Sequence, residues 1–320
     1  MLLEIRSLTV AFGPVERPVR AVWDVDLSID AGEIVGIAGE SGSGKTTLCA
    51  AIVRNLPRAA RVSGEMRFDG RSINAMSASE LRQLRGREIS MILQNPMTSL
   101  DPLFTVGNQL SEVLATRCAV PSGRLRERAV ELLRSVHMTA PEHRLRQYPH
   151  ELSGGMRQRV LIAMAGSTAP KLLLADEPTT ALDATIQEEI LVLFRELRDR
   201  RGTAIAIVTH DLGVIRRICD RIVIMYAGRI VEEGPVATVF SAPRHPYTQA
   251  LLASVPVLDG DRVQMKSIGG QVPNLADLGD FCAFADRCPN AVDQCRAATP
   301  KESASGDRQR VFCWRADELS

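Results

Sequence analysis

Two short stretches of this chain carry residue types that can handle a phosphate chain. The first is GESGSGKTT, Gly39–Thr47, which fits G-x-x-x-x-G-K-[ST] through Gly39, Gly44, Lys45 and Thr46. Glycines let the backbone fold so that successive N–H groups point at phosphate oxygens. The helix expected next adds the partial positive charge of its N-terminus. Lys45 is expected to reach the β- and γ-phosphates of a nucleotide and Thr46 to ligate Mg²⁺. Ser41, Gly42, Ser43 and Thr47 complete the same loop. A glycine-rich turn is the plainer reading, but the apolar run before the loop and the helical pattern after it disfavour that reading.

The second stretch is KLLLADEP, Lys171–Pro178, an apolar strand ending in two carboxylates. Asp176, at the strand end, suits Mg²⁺. Glu177, one residue on, can orient or deprotonate water. Alone, this string reads equally well as a strand ending in a solvated acidic turn. The phosphate loop tips the balance toward the chemical role.

A third set of reactive residues is unplaced by either motif. Four of the seven cysteines fall in the last 40 residues: Cys282, Cys288 and Cys295 within FCAFADRCPNAVDQC, then Cys313. The spacing, C-x5-C-x6-C-x17-C, matches neither paired zinc ligands nor a ferredoxin run. On spacing alone it says that four thiolates near one another suit a metal. Cys49, Cys118 and Cys219 are expected to be small core residues.

These groups need a scaffold, and the apolar pattern predicts one. Alternation over Leu2–Phe12 and Val25–Ile29, and a strand over Arg61–Asp69, suggest antiparallel pairing. Short buried strands are expected at Glu33–Ala38, Lys171–Ala175, Ala204–Thr209 and Arg221–Met225, with helices from Thr46 and over Thr185–Arg200. In the latter helix Ile186, Ile190, Leu193, Phe194 and Leu197 share a face. Strands alternating with helices imply an α/β domain with a largely parallel sheet. Residues 79–164 read as a mostly helical insertion. Prolines punctuate the chain after about Phe240, where a boundary is expected, giving domains of 1–240 and 241–320.

The totals restrict function further. Net charge is +1, from 39 basic and 38 acidic residues, so no global basic field points to nucleic acid. The start, MLLEIRSLTVAF, reads as a strand rather than a secretory signal. No apolar run approaches the ~18 residues of a membrane span. A reducing, cytoplasmic setting is the expectation, and it disfavours disulfides among the clustered cysteines.

Between the two phosphate motifs lies LSGGMRQR, Leu152–Arg159, and here the chain resembles the ATP-binding subunits of ABC transporters. Gln94 in MILQNP resembles the Q-loop, Ser153, Gly154 and Gly155 the signature, Ala181-Leu182-Asp183 the D-loop, and His210 in IVTHD the switch histidine. Phe12 stands where the family stacks an aromatic ring on adenine, although a core or edge-strand phenylalanine is an equally good reading. The resemblance covers nearly all of residues 1–240. It implies an ABC-type P-loop NTPase fold: an α/β core with an antiparallel β subdomain, a helical insertion and a small C-terminal metal-binding segment. It also implies ATP held between two subunits, with Ser153 and Gly155 meeting the nucleotide of the opposite one and Gly154 and Asp183 among the ATP-binding residues. Gln94 would join Asp176 and Thr46 at Mg²⁺, and His210 would meet the γ-phosphate.

QNPMTSLDPLFTVGNQL, Gln94–Leu110, and PRHPYTQALLASVP, Pro243–Pro256, are similar to the ATPase subunits of dipeptide, oligopeptide and nickel importers. That narrower likeness implies an ATPase driving peptide import, or that of nickel, glutathione or another small solute. It implies a second ATPase subunit, either a related non-identical chain or a second copy. Two membrane-spanning permeases and an extracytoplasmic substrate-binding protein would complete the complex, with this chain peripheral on the cytoplasmic face. In that family the segment resembling CAFADRCP carries a four-iron four-sulfur cluster, which would fall on Cys282, Cys288, Cys295 and Cys313. Zinc and plain thiols are the other readings of the same four residues.

Overall fold

The computed structural model describes residues 1–254, 257–259, 262–264, 268–305 and 308–318. Its contacts divide the chain into two units. The first comprises Met1–Ile29, Ile34–Asn74 and Val208–Ser320, and the second Asp30–Glu33 and Ala75–Ile207.

The first unit contains a four-stranded antiparallel sheet in the order Val19–Ile29, Leu3–Phe12, Arg61–Phe68, Arg71–Ser72. Alternation produces it: Leu3, Ile5, Leu8 and Val10 are buried on one face. Each such fully buried aliphatic side chain contributes about 1.5–3 kcal/mol relative to exposure. The register slips between Ile5 and Leu8, where Ser7 takes φ 47°. That irregularity keeps the apolar set inward on both sides of it.

The same unit carries Ile34–Ala38, buried at every position and parallel to Arg221–Tyr226. Strands with both faces covered read as continuous apolar runs, which is why IVGIA shows no alternation. Arg229–Pro235 pairs antiparallel with Arg221–Tyr226 and, through Glu232↔Val311 and Glu233↔Arg310, with Gln309–Val311. The tail is therefore joined to the first unit by backbone pairing, and the contacts group Val208–Ser320 with it.

In the second unit Ile89–Ile92 runs parallel to Leu172–Asp176 in the register Ile89↔Leu172 to Ile92↔Ala175. This strand interrupts the stretch expected to be mostly helical. The helices around it are Ala78–Leu84, Val106–Arg117, Leu125–Ser135, Gly154–Gly166 and Ala184–Arg201. Their starts follow capping chemistry: Ser77, Thr105, Ser153 and Asp183 each accept a main-chain N–H of their first turn. Ala184–Arg201 buries Ile190, Leu191, Leu193 and Phe194 and stops at Gly202 in a left-handed conformation. No helix among the described residues is long and apolar enough to cross a membrane.

Of the isolated cysteines, Cys49 and Cys219 are buried as expected. Cys118 is not: it caps the C-terminus of Val106–Arg117, half-exposed, its Sγ 3.8 Å from Ser167 Oγ.

Candidate functional site

The phosphate loop follows Ile34–Ala38 directly. Gly39 has φ 150° and Gly44 φ 98°, and a methyl at either position would lie 2.1 Å from Met225 O or 2.2 Å from Ala21 O. Only glycine fits there, by conformation and by space. Lys45 is buried, and its Nζ donates to Gly39 O at 2.8 Å, Glu40 O at 2.8 Å and Ser43 Oγ at 3.1 Å. The helix Lys45–Ile52 begins with no side-chain cap, because its N-cap is Gly44. No N-cap side chain thus competes with an anion for this helix start. Ser41, Gly42 and Thr46 are exposed, Thr47 is half-exposed and Ser43 is buried. A buried ammonium under an exposed glycine-rich lip fits a polyphosphate, and Thr46 on that lip fits a metal held at the phosphates.

The catalytic candidates of the second unit are brought together by strand register. Ile92 pairs with Ala175, so two parallel strands end side by side. Two residues past each of these positions stand Gln94 and Glu177, and Gln94 Nε2 donates to Glu177 Oε2 at 3.0 Å. Thr180 Oγ1 donates to the same oxygen at 2.8 Å. Glu177 takes φ 48°, a left-handed conformation uncommon outside glycine. Such strain persists only where surroundings impose it; here Pro178 and Thr179, both buried, follow immediately. Asp176 is 2% exposed at the strand end.

Signature residues Ser153 and Gly154 are exposed at the start of Gly154–Gly166, with Ser153 Oγ accepting Met156 N–H at 3.3 Å. Gly155 is buried, and a methyl there would meet Ile186 Cγ2 at 2.5 Å. Asp183 likewise caps its own helix, accepting Ile186 N–H at 3.0 Å. In the first unit, His210 is exposed just past Ala204–Val208, before Asp211 caps Leu212–Ile218. Phe12 is half-exposed at the end of Leu3–Phe12, paired with Val19.

The four tail cysteines do converge. Cys282, Cys288, Cys295 and Cys313 line one cavity of about 10 Å³ with His245 and Trp314, the volume of a single water. No disulfide joins them. Burial pushes the Cys282 thiol up to about 11 and raises Cys288 and Cys313 as well. The donor chemistry fits a soft metal, whose binding must displace those protons. Yet among the described residues no three His, Cys, Asp or Glu side chains stand in a metal-holding arrangement.

Residues that motif reading passes over surround Glu40. Tyr247 Oη accepts the Glu40 N–H at 2.8 Å, and Arg287 pairs with the Glu40 carboxylate at 2.7 and 3.1 Å. Tyr247 belongs to the helix Pro246–Ala253, whose N-cap His245 accepts Tyr247 N–H at 3.0 Å. Burial holds His245 down at about 3, so its ring is neutral and can accept. The importer-like string over 243–256 thus has a structural role next to the loop; its Val255 and Pro256 lie outside the described residues. The sequence signal for both partners is membership of strings whose likeness lies outside the nucleotide motifs.

Comparison with known proteins identifies the family. Residues 22–180 match the family described as ABC transporter, and residues 231–295 the one described as oligopeptide/dipeptide transporter, C-terminal region. The chain is 46% identical to a probable peptide ABC transporter ATP-binding protein of Sinorhizobium fredii, across 100% of this chain and 96% of that protein. It is 46% identical to the oligopeptide transport ATP-binding protein OppD of Salmonella typhimurium, across 100% and 95%. The dipeptide transport ATP-binding protein DppD of Escherichia coli is 44% identical, across 98% and 96%. Among solved structures, the bacterial ABC transporter cassette MJ0796, a dimer, superposes with TM-score 0.66 at 31% identity, covering 73% of this chain and 99% of that one. The chain belongs to the ATP-binding proteins of oligopeptide/dipeptide-type ABC transporters.

Proposed function

We propose, from that membership, that the chain is the ATP-hydrolysing subunit of a peptide importer. The observation that carries the reading is the phosphate loop: Lys45 buried beneath glycines whose conformation and space admit no side chain. ATP is the nucleotide, and Mg²⁺, when bound, neutralises charge on its phosphates. Gly39, Ser41, Gly42, Ser43, Gly44, Lys45 and Thr47 bind the phosphates. Thr46, Asp176 and Gln94 hold the metal. Glu177, oriented by Gln94 and Thr180, accepts a proton from the attacking water. His210 contacts the γ-phosphate and Phe12 stacks on adenine. Ser153, Gly154, Gly155 and Asp183, exposed or at exposed helix starts, meet the nucleotide of a second ATPase subunit.

ATP binds the closed pair better than the open one, so binding closes it and hydrolysis reopens it. The helices of residues 79–164 pass that motion to two permease subunits, and an extracytoplasmic binding protein delivers peptide. The chain works as a peripheral protein on the cytoplasmic face of the membrane. Cys282, Cys288, Cys295 and Cys313 would be the ligands of a four-iron four-sulfur cluster that staples the tail; what supports this is that all four line one cavity, although its volume of about 10 Å³ would have to open for a cluster to enter. Iron and sulfide analysis of anaerobically purified protein tests it, and unchanged protease resistance of the tail in Cys288→Ser would remove the staple.

The main reading is tested by isolating the native complex, identifying its subunits and measuring peptide-stimulated ATP hydrolysis. Peptide permeases and a hydrolysis rate abolished by Lys45→Ala are expected. Copurification with unrelated proteins, or turnover surviving Lys45→Ala, would contradict it.

A further inference from the structure

We propose that Arg287 is a positioning residue for the phosphate loop, so that the cysteine-bearing segment sets the affinity of the chain for ATP; this rests on the reading of the loop as an ATP site.

The loop is anchored at Glu40 through three of its groups. Its carbonyl takes the Lys45 ammonium at 2.8 Å, its N–H goes to Tyr247 Oη at 2.8 Å, and its carboxylate takes Arg287 Nη1 at 2.7 Å and Nη2 at 3.1 Å. Two of the three anchors come from beyond residue 240. The Arg287 guanidinium makes further bonds: Nη1 reaches Tyr226 Oη at 3.2 Å, Nε reaches Gly269 O at 2.8 Å and Nη2 Ile268 O at 3.4 Å. It is held in one orientation, with its side chain 5% exposed. The hydrogen bonds to Glu40 raise its pKa, so it stays a cation throughout.

The chemistry explains why a cation is needed. Glu40 places a carboxylate within the loop that must receive a polyphosphate, and like charges repel. Arg287 cancels that charge and, by its two-point geometry, holds the carboxylate in place. A staple alone would not call for this arrangement, because a buried ion pair gives back much of its attraction in desolvation. Packing already ties the segment to the strand and helix beside the loop: Phe284 lies 5.2 Å from Tyr226 and 5.4 Å from Tyr247, centroid to centroid, and all three rings are buried. Arg287 immediately precedes Cys288, so a rearrangement of the cysteine segment displaces the cation and is felt at Glu40.

The test is equilibrium binding of ATP with Mg²⁺ to the full-length chain, in the native form, in Arg287→Gln and in the double variant Arg287→Gln/Glu40→Gln. Arg287→Gln is expected to weaken binding about tenfold or more, the scale of a lost charge-assisted hydrogen bond. The double variant is expected to recover to within about threefold of native, because the uncompensated charge is gone. Native affinity in Arg287→Gln overturns the proposal. So does a double variant as weak as the single one, since Arg287 would then act by packing alone. Where Arg287→Gln does not fold, Arg287→Lys carries the test: about a threefold loss is expected as the two-point geometry goes and the charge stays, and unchanged binding overturns the proposal. Failure of the native chain to bind ATP would instead overturn the reading of the loop itself.

Discussion

Two helix starts in this molecule are proposed to meet phosphate, and they differ in how finished they are. Lys45–Ile52 has a glycine N-cap and no side-chain cap, while its lysine and the adjoining loop are tied down by Gly39, Ser43, Tyr247 and Arg287. Gly154–Gly166 starts in the open with Ser153 satisfying Met156 N–H. The first arrangement is complete within one chain. The second carries its own side-chain cap from Ser153, as would suit the proposed contact with a nucleotide on another subunit.

Substitutions can break that contrast. The largest effect belongs to Gly44→Ala, whose new methyl would press on Ala21 O in a backbone conformation reserved for glycine. It should cost about 3 kcal/mol or more and abolish ATP binding, measured by melting and titration. Tyr247→Phe comes next: losing the acceptor leaves the Glu40 N–H unsatisfied, at a cost of about 1–3 kcal/mol, and ATP affinity should fall with stability. Ser153→Ala should cost only about 1 kcal/mol, a fall of roughly 2–4 °C in melting temperature, with ATP binding by the isolated chain unchanged. Gly154→Ala sits at the small end. Its methyl would find Leu182 at 3.6 Å, an ordinary contact, and alanine favours the helix, so stability should hold or rise by up to about 1 kcal/mol. Equal damage from Gly44→Ala and Gly154→Ala would erase the difference between the two starts.

How far these features can be read in sequence follows from their range. The phosphate loop and Asp176–Glu177 are contiguous strings whose chemistry is local, and they stand where expected. The contact of Gln94 with Glu177 spans 83 residues and depends on the parallel register of Ile89–Ile92. Four residues between helices carry too short a pattern to announce a strand. Arg287 and Glu40 are 247 residues apart, and neither is unusual in its own neighbourhood; strand pairing of the tail onto Arg229–Pro235 and the packing of Phe284 on Tyr226 and Tyr247 bring the segment back. The contacts that keep Val208–Ser320 in one unit are equally out of reach of the prolines after Phe240, which mark breaks in local structure and say nothing of long-range pairing.

The proposed role of Glu177, as the base beside a working nucleotide site, is the central claim. The most direct measurement is MgATP binding and steady-state hydrolysis by Glu177→Gln in the assembled complex. The side chain keeps its size but cannot take a proton, so ATP binding should be retained while turnover falls by about 100-fold or more. Near-native turnover would contradict that role.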